Sequence, residues 1–263
     1  MKTPQLSTRI STFDEKGATI RGKNLVDDLI GEVSFTQMIY LHILGQMPTA
    51  AQVRVLDAVL VTLVDHGVMA SVAPRLIYMS SPDAIQGAIA AGILGMGSQF
   101  GGVMEEIGRN LESIIAAPDP DGAAAAIVAE YRSARQPVPG FGHPHFRPED
   151  PRSLKLLQVA EREGMAGRFV AALHTLAKAV DAALGKHVTI NATAAIAALL
   201  GELGVPGRIM RGFAAISRTP GIVGHLHEEQ TNPVAYSLAM AAHEMVAYVG
   251  DIPIQRPASD PTP

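Results

Sequence analysis

Residues 188–201 carry no charged side chain, and this stretch limits the fold more than any other part of the chain. Its composition predicts a helix that is buried on every side, so other elements must surround it. Apolar residues recur at helical spacing from about Leu25 onward, for example over residues 50–64, which predicts that these elements are helices too. Two β-prone runs within residues 10–22 flank an Asp-Glu-Lys-Gly turn and predict a hairpin, and the strand signal is confined to them. We therefore expect an all-α protein with a short N-terminal β-hairpin.

The composition supports a well-buried helical protein. Hydrophobic residues make up 48% of the chain and charged residues 17%, which is typical of a globular protein rather than a disordered one. Alanine and glycine are abundant and aromatic residues reach only 5%, so helices can approach one another closely. The 263 residues suffice for one large domain or for two lobes that share a core.

Several classes of partner and chemistry are disfavoured by what the sequence lacks. The net charge is −4 and no basic stretch carries interleaved aromatic residues, so we expect no nucleic-acid partner. The absence of cysteine excludes disulfides, thiolate nucleophiles and cysteine-ligated zinc. The first five residues lack the apolar core of a signal peptide, which predicts a cytoplasmic location. Residues 84–104 are uncharged, but their six glycines predict a buried helix followed by a loop, not a membrane span.

Helical patterns and turn residues place the later elements. We predict a helix within residues 111–135 and further helices at about 153–163, 167–184, 188–203, 206–217 and 233–249. Between them, the segment 137–151 is predicted to be a loop because it is rich in glycine, proline and histidine. Residues 217–225 are predicted to form another loop, beginning at the end of a helix.

The loop of residues 140–152 concentrates the side chains best suited to chemistry. It brings His143, His145, Arg147 and Arg152 together on a stiff scaffold of glycine and proline. Arginine binds carboxylates through two parallel hydrogen bonds, and histidine can polarise a carbonyl or move a proton near neutral pH. The alternative is a proline-rich surface loop with solvated charges.

Three further segments are candidate ligand loops, each with a plainer explanation. His66 follows a predicted helix, where histidine can also cap free carbonyls. The Gly-Ser-Gln-Phe-Gly-Gly sequence at 97–102 can be just a tight turn. Arg218, at a predicted helix end, can be a partner for the helix dipole. We find no zinc signature, phosphate-binding loop, dinucleotide fingerprint or nucleophile elbow, so no metal and no permanently bound cofactor is expected.

In order and spacing, these segments resemble the citrate synthase superfamily over residues 10–230. The sequence GFGHPHFRPEDPR resembles the family's GxGHxxxxxxDPR loop, the most specific match, and DHG and FAAISRTPGIVGHLHEEQ resemble two further family motifs. Synthases carry histidine in a GPxHGG-like loop. Phe100 at this position instead resembles free-standing citryl-CoA lyases and the corresponding module of ATP-citrate lyases.

The resemblance implies roles for particular residues. His66, His143, Arg152 and Arg218 would hold the carboxylates and hydroxyl of a hydroxy acid, with Phe100 beside them, and His143 would also polarise the carbonyl. Asn191 stands where we place the family's catalytic aspartate. Residues implied to touch coenzyme A are Phe141, Gly142, Pro144, His145 and Arg147.

The resemblance also implies an architecture and a reaction. Residues 1–102 and 203–263 would form a large helical domain and residues 103–202 a smaller one, with the site in the cleft between them, in a homodimer or higher homo-oligomer. The expected reaction is cleavage of citryl-CoA or a related 3-hydroxyacyl-CoA, which joins a di- or tricarboxylate to coenzyme A, to acetyl-CoA and an oxoacid. Coenzyme A would enter only as part of the substrate. The alternatives are condensation, as in citrate or alkylcitrate synthases, and a non-catalytic acyl-CoA binding protein.

Overall fold

The computed structural model describes residues 6–15, 17–97 and 103–250, and its N-terminal part is a small antiparallel sheet. The strands β1 (Ser11–Asp14), β2 (Gly17–Ile20) and β3 (Lys23–Asn24) lie in the order β1-β2-β3. Asp14 pairs with Gly17, so the predicted hairpin is confirmed. The third strand was not predicted, because two residues are too few to show an alternating pattern.

Helices dominate the rest of the described chain, which confirms the all-α prediction. A π-helical turn at Leu25–Leu29 and a 3-10 turn at Gly207–Ile209 accompany the α-helices. The α-helices are α1 (Phe35–Leu44), α2 (Ala50–Leu63), α3 (Val68–Ser80), α4 (Ile85–Leu94), α5 (Val103–Ala116), α6 (Pro120–Ser133), α7 (Pro151–Arg162), α8 (Arg168–Leu184), α9 (Ala192–Glu202), α10 (Met210–Thr231) and α11 (Ala235–Met245).

Side-chain caps explain where several helices begin. Thr49 accepts from the backbone of Gln52, and the Gln52 side chain accepts from the backbone of Thr49 in return, which starts α2. In α7, Asp150 accepts a backbone hydrogen bond at the first turn and Pro151 occupies the first helical position. Proline suits that position because its missing N–H would have no partner inside the helix.

The core is built around α9, as the uncharged stretch of residues 188–201 predicts. Nearly every residue of α9 is buried, and α2, α5, α7 and α8 pack around it. The helix starts at Ala192, later than predicted, because residues 189–191 pair with the backbone of residues 140–142 instead. Gly142 donates to the Thr189 carbonyl (2.8 Å) and Asn191 donates to the Gly140 carbonyl (3.0 Å).

The predicted loop at residues 217–225 is wrong, because this segment lies inside α10. The helix is continuous through Pro220, although proline cannot donate to the preceding turn. Burial of Phe213, Ile222 and Leu226 along its inner side ties both halves of the helix to the protein. Packing therefore outweighs the local cost of the proline.

Among the described residues, no single helix is both long and apolar enough to cross a membrane. One broken pair, α9 with residues 207–231, meets the criteria of length and composition, but it bends by 119° at the break.

Candidate active site

A cleft of about 330 Å³ collects side chains from distant parts of the chain. Its wall is formed by α3, α4 and α10 and by the ends of α2, α5, α7 and α9. Five of the residues singled out from the sequence line this one cleft: His66, His143, Arg152, Asn191 and Arg218. Apolar side chains such as Met104 and Ile196 complete it.

His143 is held by its own loop in a defined orientation. Its Nδ1 atom lies 3.1 Å from the backbone nitrogens of both His145 and Phe146, and the ring stacks on Phe146 at 4.6 Å. Backbone N–H groups can only donate, so Nδ1 accepts and the proton of the neutral ring is on Nε2. Burial, and after it the charge of Arg152, lowers the pKa of His143 and keeps the ring neutral. His143 Nε2 therefore carries a proton and lies 3.2 Å from Arg152 Nη2, which also can only donate, so two donors face one another and a ligand oxygen can accept from both.

Arg152 is oriented by Asp150, whose side chain is fully buried. Asp150 accepts from Arg152 Nε (3.0 Å) and Nη2 (2.8 Å), and its Oδ2 atom also accepts from the backbone of Ala192 (3.0 Å). Burial alone would raise the pKa of Asp150, but the hydrogen bonds from Arg152 and the backbone lower it. One carboxylate thus joins the guanidinium to the first turns of α7 and α9. Its role was not predicted, although an aspartate directly before a proline is a recognisable helix start.

His66 lies in the turn that joins α2 to α3. Asp65 Oδ1 accepts from the backbone nitrogens of His66 (2.7 Å) and Gly67 (3.2 Å), which fixes the turn. Gly67 has a φ of +68°, a conformation that favours glycine. Desolvation lowers the pKa of His66, and the positive charges of Arg218 and Arg152 lower it further. His66 is therefore neutral at neutral pH.

Arg218 enters the cleft from the middle of α10. Its Nε and Nη1 atoms are buried and have no hydrogen-bond acceptor among the described residues. Burial lowers the pKa of Arg218, and the negative charge of Asp65 offsets this only in part. A buried guanidinium without acceptors is costly, and a carboxylate supplies two acceptors in matching geometry. Arg218 is therefore suited to an anionic ligand.

Asn191 caps the N-terminus of α9. Its Oδ1 atom accepts from the backbone of Ala194 (3.2 Å), and its Nδ2 atom donates to the Gly142 carbonyl (3.2 Å). With these bonds made, the side chain can still offer a ligand the second Nδ2 proton and the second lone pair of Oδ1.

The residues implied to touch coenzyme A lie on or beside the His143 loop, outside the wall of the cleft. Phe141 packs against the core and forms an isolated β-bridge with Ile190. Pro144, His145 and Arg147 are exposed next to His143. Phe100 lies outside the described residues, so its predicted place beside the substrate stays a prediction. Within 6–15, 17–97 and 103–250, no three histidine, aspartate or glutamate side chains form a group that could hold a metal ion.

Comparison with known proteins places this geometry in context. The sequence profile of the citrate synthase C-terminal domain matches residues 42–237. A citrate synthase-like protein of Aspergillus oryzae is 24% identical over 195 residues, covering 71% of this chain and 42% of that protein. The chain spans about half the length of the curated relatives it matches.

Two solved structures extend the match to nearly the whole chain. The citryl-CoA lyase of Hydrogenobacter thermophilus superposes with a TM-score of 0.86 at 32% identity, covering 96% of this chain and 97% of that one. The ATP citrate lyase of Methanosaeta concilii, in complex with (3S)-citryl-CoA, gives a TM-score of 0.73 at 18% identity over 96% of this chain and 43% of that one. The second match shows a shared fold alone. The predicted citrate synthase-like fold is confirmed.

Proposed function

This chain belongs to the citrate synthase family, and on that premise we propose that it is a lyase that cleaves citryl-CoA or a related 3-hydroxyacyl-CoA to acetyl-CoA and an oxoacid. The observation that carries the proposal is the cleft in which two neutral histidines face two arginines. In one of these, Arg218, two buried nitrogens have no acceptor among the residues that the structure describes. The full-length similarity to the H. thermophilus citryl-CoA lyase supports cleavage over other reactions of this fold.

The cationic side chains divide the binding of the acid between them. Arg218, with free donors, takes one carboxylate as a two-pronged partner, and Arg152, oriented by Asp150, takes a second. His143 donates from Nε2 to the hydroxyl oxygen, which becomes the carbonyl oxygen of the oxoacid. These assignments require a di- or tricarboxylate and account for the lack of acceptors around Arg218.

Cleavage then needs one base and one set of donors. His66 is neutral because its pKa is lowered, so it can take the hydroxyl proton. As the C–O bond becomes C=O, the neighbouring carbon–carbon bond breaks and its electron pair passes to the thioester, forming an enolate. The free Nδ2 proton of Asn191 is suited to stabilise the enolate oxygen. The proton that His66 took from the hydroxyl then passes to the enolate carbon and gives acetyl-CoA, so protons and electrons balance without an oxidant or reductant.

The domain division is part of the same proposal. His66 and Arg218 come from residues 1–102 and 203–263, whereas His143, Arg152 and Asn191 come from residues 103–202. A cleft with walls from both parts can close over the acyl-CoA and exclude water. We also propose that the chain forms a homodimer or higher homo-oligomer in the cytoplasm. Exposed apolar side chains at the C-terminal end of α11, such as Met245 and Val246, support an interface there.

The test is release of acetyl-CoA from citryl-CoA and from a panel of other 3-hydroxyacyl-CoA thioesters. We expect turnover by the wild-type protein and by Arg208→Met, an exposed arginine outside the cleft, and its loss in Arg152→Met. Binding of the thioesters without turnover of any would favour a non-catalytic acyl-CoA binding protein. Formation of citrate from acetyl-CoA and oxoacid without measurable cleavage would favour a synthase.

A further inference from the structure

A hydrogen-bonded network behind the turn of His66 connects three elements of the fold. Arg75, on α3, is only 4% exposed, and its guanidinium is bonded to the carboxylates of Glu228 and Glu229 on α10. Arg75 Nε donates to Ser71 Oγ (3.4 Å), and Arg75 Nη2 also lies 3.1 Å from His225 Nδ1. On its other side, His225 Nε2 lies 3.0 Å from Asp65 Oδ1.

The chemistry of Arg75 decides the protonation of His225. A guanidinium can only donate, so His225 Nδ1 must accept, and the proton of the neutral ring is then on Nε2. From there it is donated to Asp65. The two carboxylates that bind Arg75 prevent it from turning away, so the ring is held from both sides.

Asp65 connects the fixed ring of His225 to the turn that carries His66 into the cleft. The oxygen that accepts from His225 also accepts from the backbone nitrogens of His66 and Gly67. The turn that carries His66 is thereby bonded to α3 and α10, which Arg75 joins to each other, and His225 is the link. His225 itself is absent from the wall of the cleft.

We propose that His225 is a positioning residue that holds His66 in place through Asp65. The inference rests on the proposed function, in which His66 takes the proton of the substrate hydroxyl. His225 touches neither substrate nor reacting atoms, so its contribution is to geometry. A displacement of a reacting group by about 1 Å can cost roughly 100-fold in rate.

Two substitutions with amide side chains test separately the two hydrogen bonds of the His225 ring, one to Arg75 and one to Asp65. His225→Gln places a donor near the position of Nε2 and keeps the bond to Asp65. His225→Asn places an acceptor near the position of Nδ1, keeps the bond to Arg75 and cannot reach Asp65. His227→Gln and His227→Asn are matched controls, because His227 is exposed on the same helix two residues later.

Two measurements are compared across these variants. For turnover of citryl-CoA, we expect His225→Asn to lower kcat by roughly 10- to 100-fold with a smaller change in KM, and His225→Gln to recover most of the loss. For hydrogen exchange of the backbone amides of His66 and Gly67, we expect faster exchange in His225→Asn than in His225→Gln. Both His227 variants should behave as wild type.

The two readouts keep the two proposals distinguishable. If the wild-type protein does not cleave the thioester, the proposed function fails, while the exchange measurement still tests the positioning of the turn. If His225→Asn and His225→Gln exchange at equal rates, or if the asparagine variant is the more active, His225 does not act through Asp65 and the inference is overturned.

Discussion

At the scale of single residues, Arg218 couples ligand binding to stability. The residue is half-buried, and its Nε and Nη1 atoms are kept from solvent yet find no acceptor among the described residues. The protein without ligand therefore carries the cost of a desolvated charge, and a carboxylate would remove that cost.

This cost predicts opposite effects of Arg218→Met on activity and on stability. An apolar side chain of similar length needs no acceptor, so the free energy of unfolding without ligand should rise by about 1 kcal/mol. The kcat/KM for citryl-CoA should fall by at least about 100-fold, because a charge-assisted pair is worth about 3 kcal/mol or more when desolvated. Chemical denaturation and a steady-state assay measure the two effects. A clear loss of stability would contradict the view that Arg218 is unpaired.

The two histidines of the cleft predict a pH dependence. The pKa values of His66 and His143 are lowered by burial and by neighbouring arginines, so both rings stay neutral as the pH falls to the ordinary histidine value of about 6.5. The acid limb of kcat/KM should therefore lie below pH 6.5. His187 is an internal contrast, because its hydrogen bond to Asp181 raises its pKa. In an NMR titration, the pKa values of His66 and His143 should be lower than that of His187. The reverse order would contradict this interpretation.

At the scale of elements, the approach of α10 to the end of α2 depends on one glycine. A Cβ atom at Gly221 would overlap the carbonyl oxygen of Val64, directly before the turn that carries Asp65 and His66. A backbone atom cannot move aside as a flexible side chain can. The helix that carries Arg218 and the turn that carries His66 can therefore meet only if this position has no side chain.

Gly221→Ala should destabilise the protein by roughly 1–3 kcal/mol and lower turnover by displacing the turn. Gly224→Ala is the matched control, because Gly224 lies one turn later on α10 with open space around it. There the greater helix propensity of alanine should stabilise the protein by about 0.5–1 kcal/mol. Thermal unfolding of both variants gives the comparison, and equal melting temperatures would disprove the close contact.

Elements were predictable from sequence where local patterns agree with packing. The uncharged stretch that becomes α9 and the hairpin could be read directly, because burial and turn chemistry each leave a local signature. The start of α9 and the middle of α10 could not. Residues 189–191 find their partners some fifty positions away, and Pro220 lies in a helix that tertiary contacts maintain.

The residues of the cleft also differ in how far the sequence predicts them. Its histidines and arginines stand out in the sequence because they lie beside glycine or in motifs that resemble a known family. For Asp150, the sequence indicates only a helix cap. The residues around His225 in the sequence do not indicate that His225 bridges Arg75 and Asp65. Such links depend on which elements the fold brings together, so one sequence does not reveal them.

At the scale of the whole molecule, the buried carboxylate of Asp150 ties acid stability to the site. Its pKa is lowered in the folded protein, so it stabilises the fold fully above its unfolded value of about 3.9, and this contribution is lost as the pH falls through the folded pKa. Asp150→Asn should cost roughly 2–4 kcal/mol at pH 7, because it leaves Arg152 without its anionic partner.

Urea denaturation at several pH values measures this contribution. The gap between wild type and Asp150→Asn should shrink below about pH 4, where the wild-type carboxyl takes up its proton. Asp83→Asn, at an exposed position, should change the free energy of unfolding by less than about 0.5 kcal/mol throughout. A gap that is independent of pH would mean that the charge of Asp150 is not what stabilises the fold.

The short backbone ladder between residues 140–142 and 189–191 has a consequence for how this protein withstands heat. Its hydrogen bonds join the segment just before His143 to the residues that lead into the buried helix α9. The segment that carries His143 should not open locally while the core is folded, because the hydrogen bonds that hold it break only when the core around α9 unfolds. On heating, the protein should therefore lose activity at the temperature at which it unfolds. A substitution that stabilises the core should raise the inactivation temperature and the melting temperature by the same number of degrees.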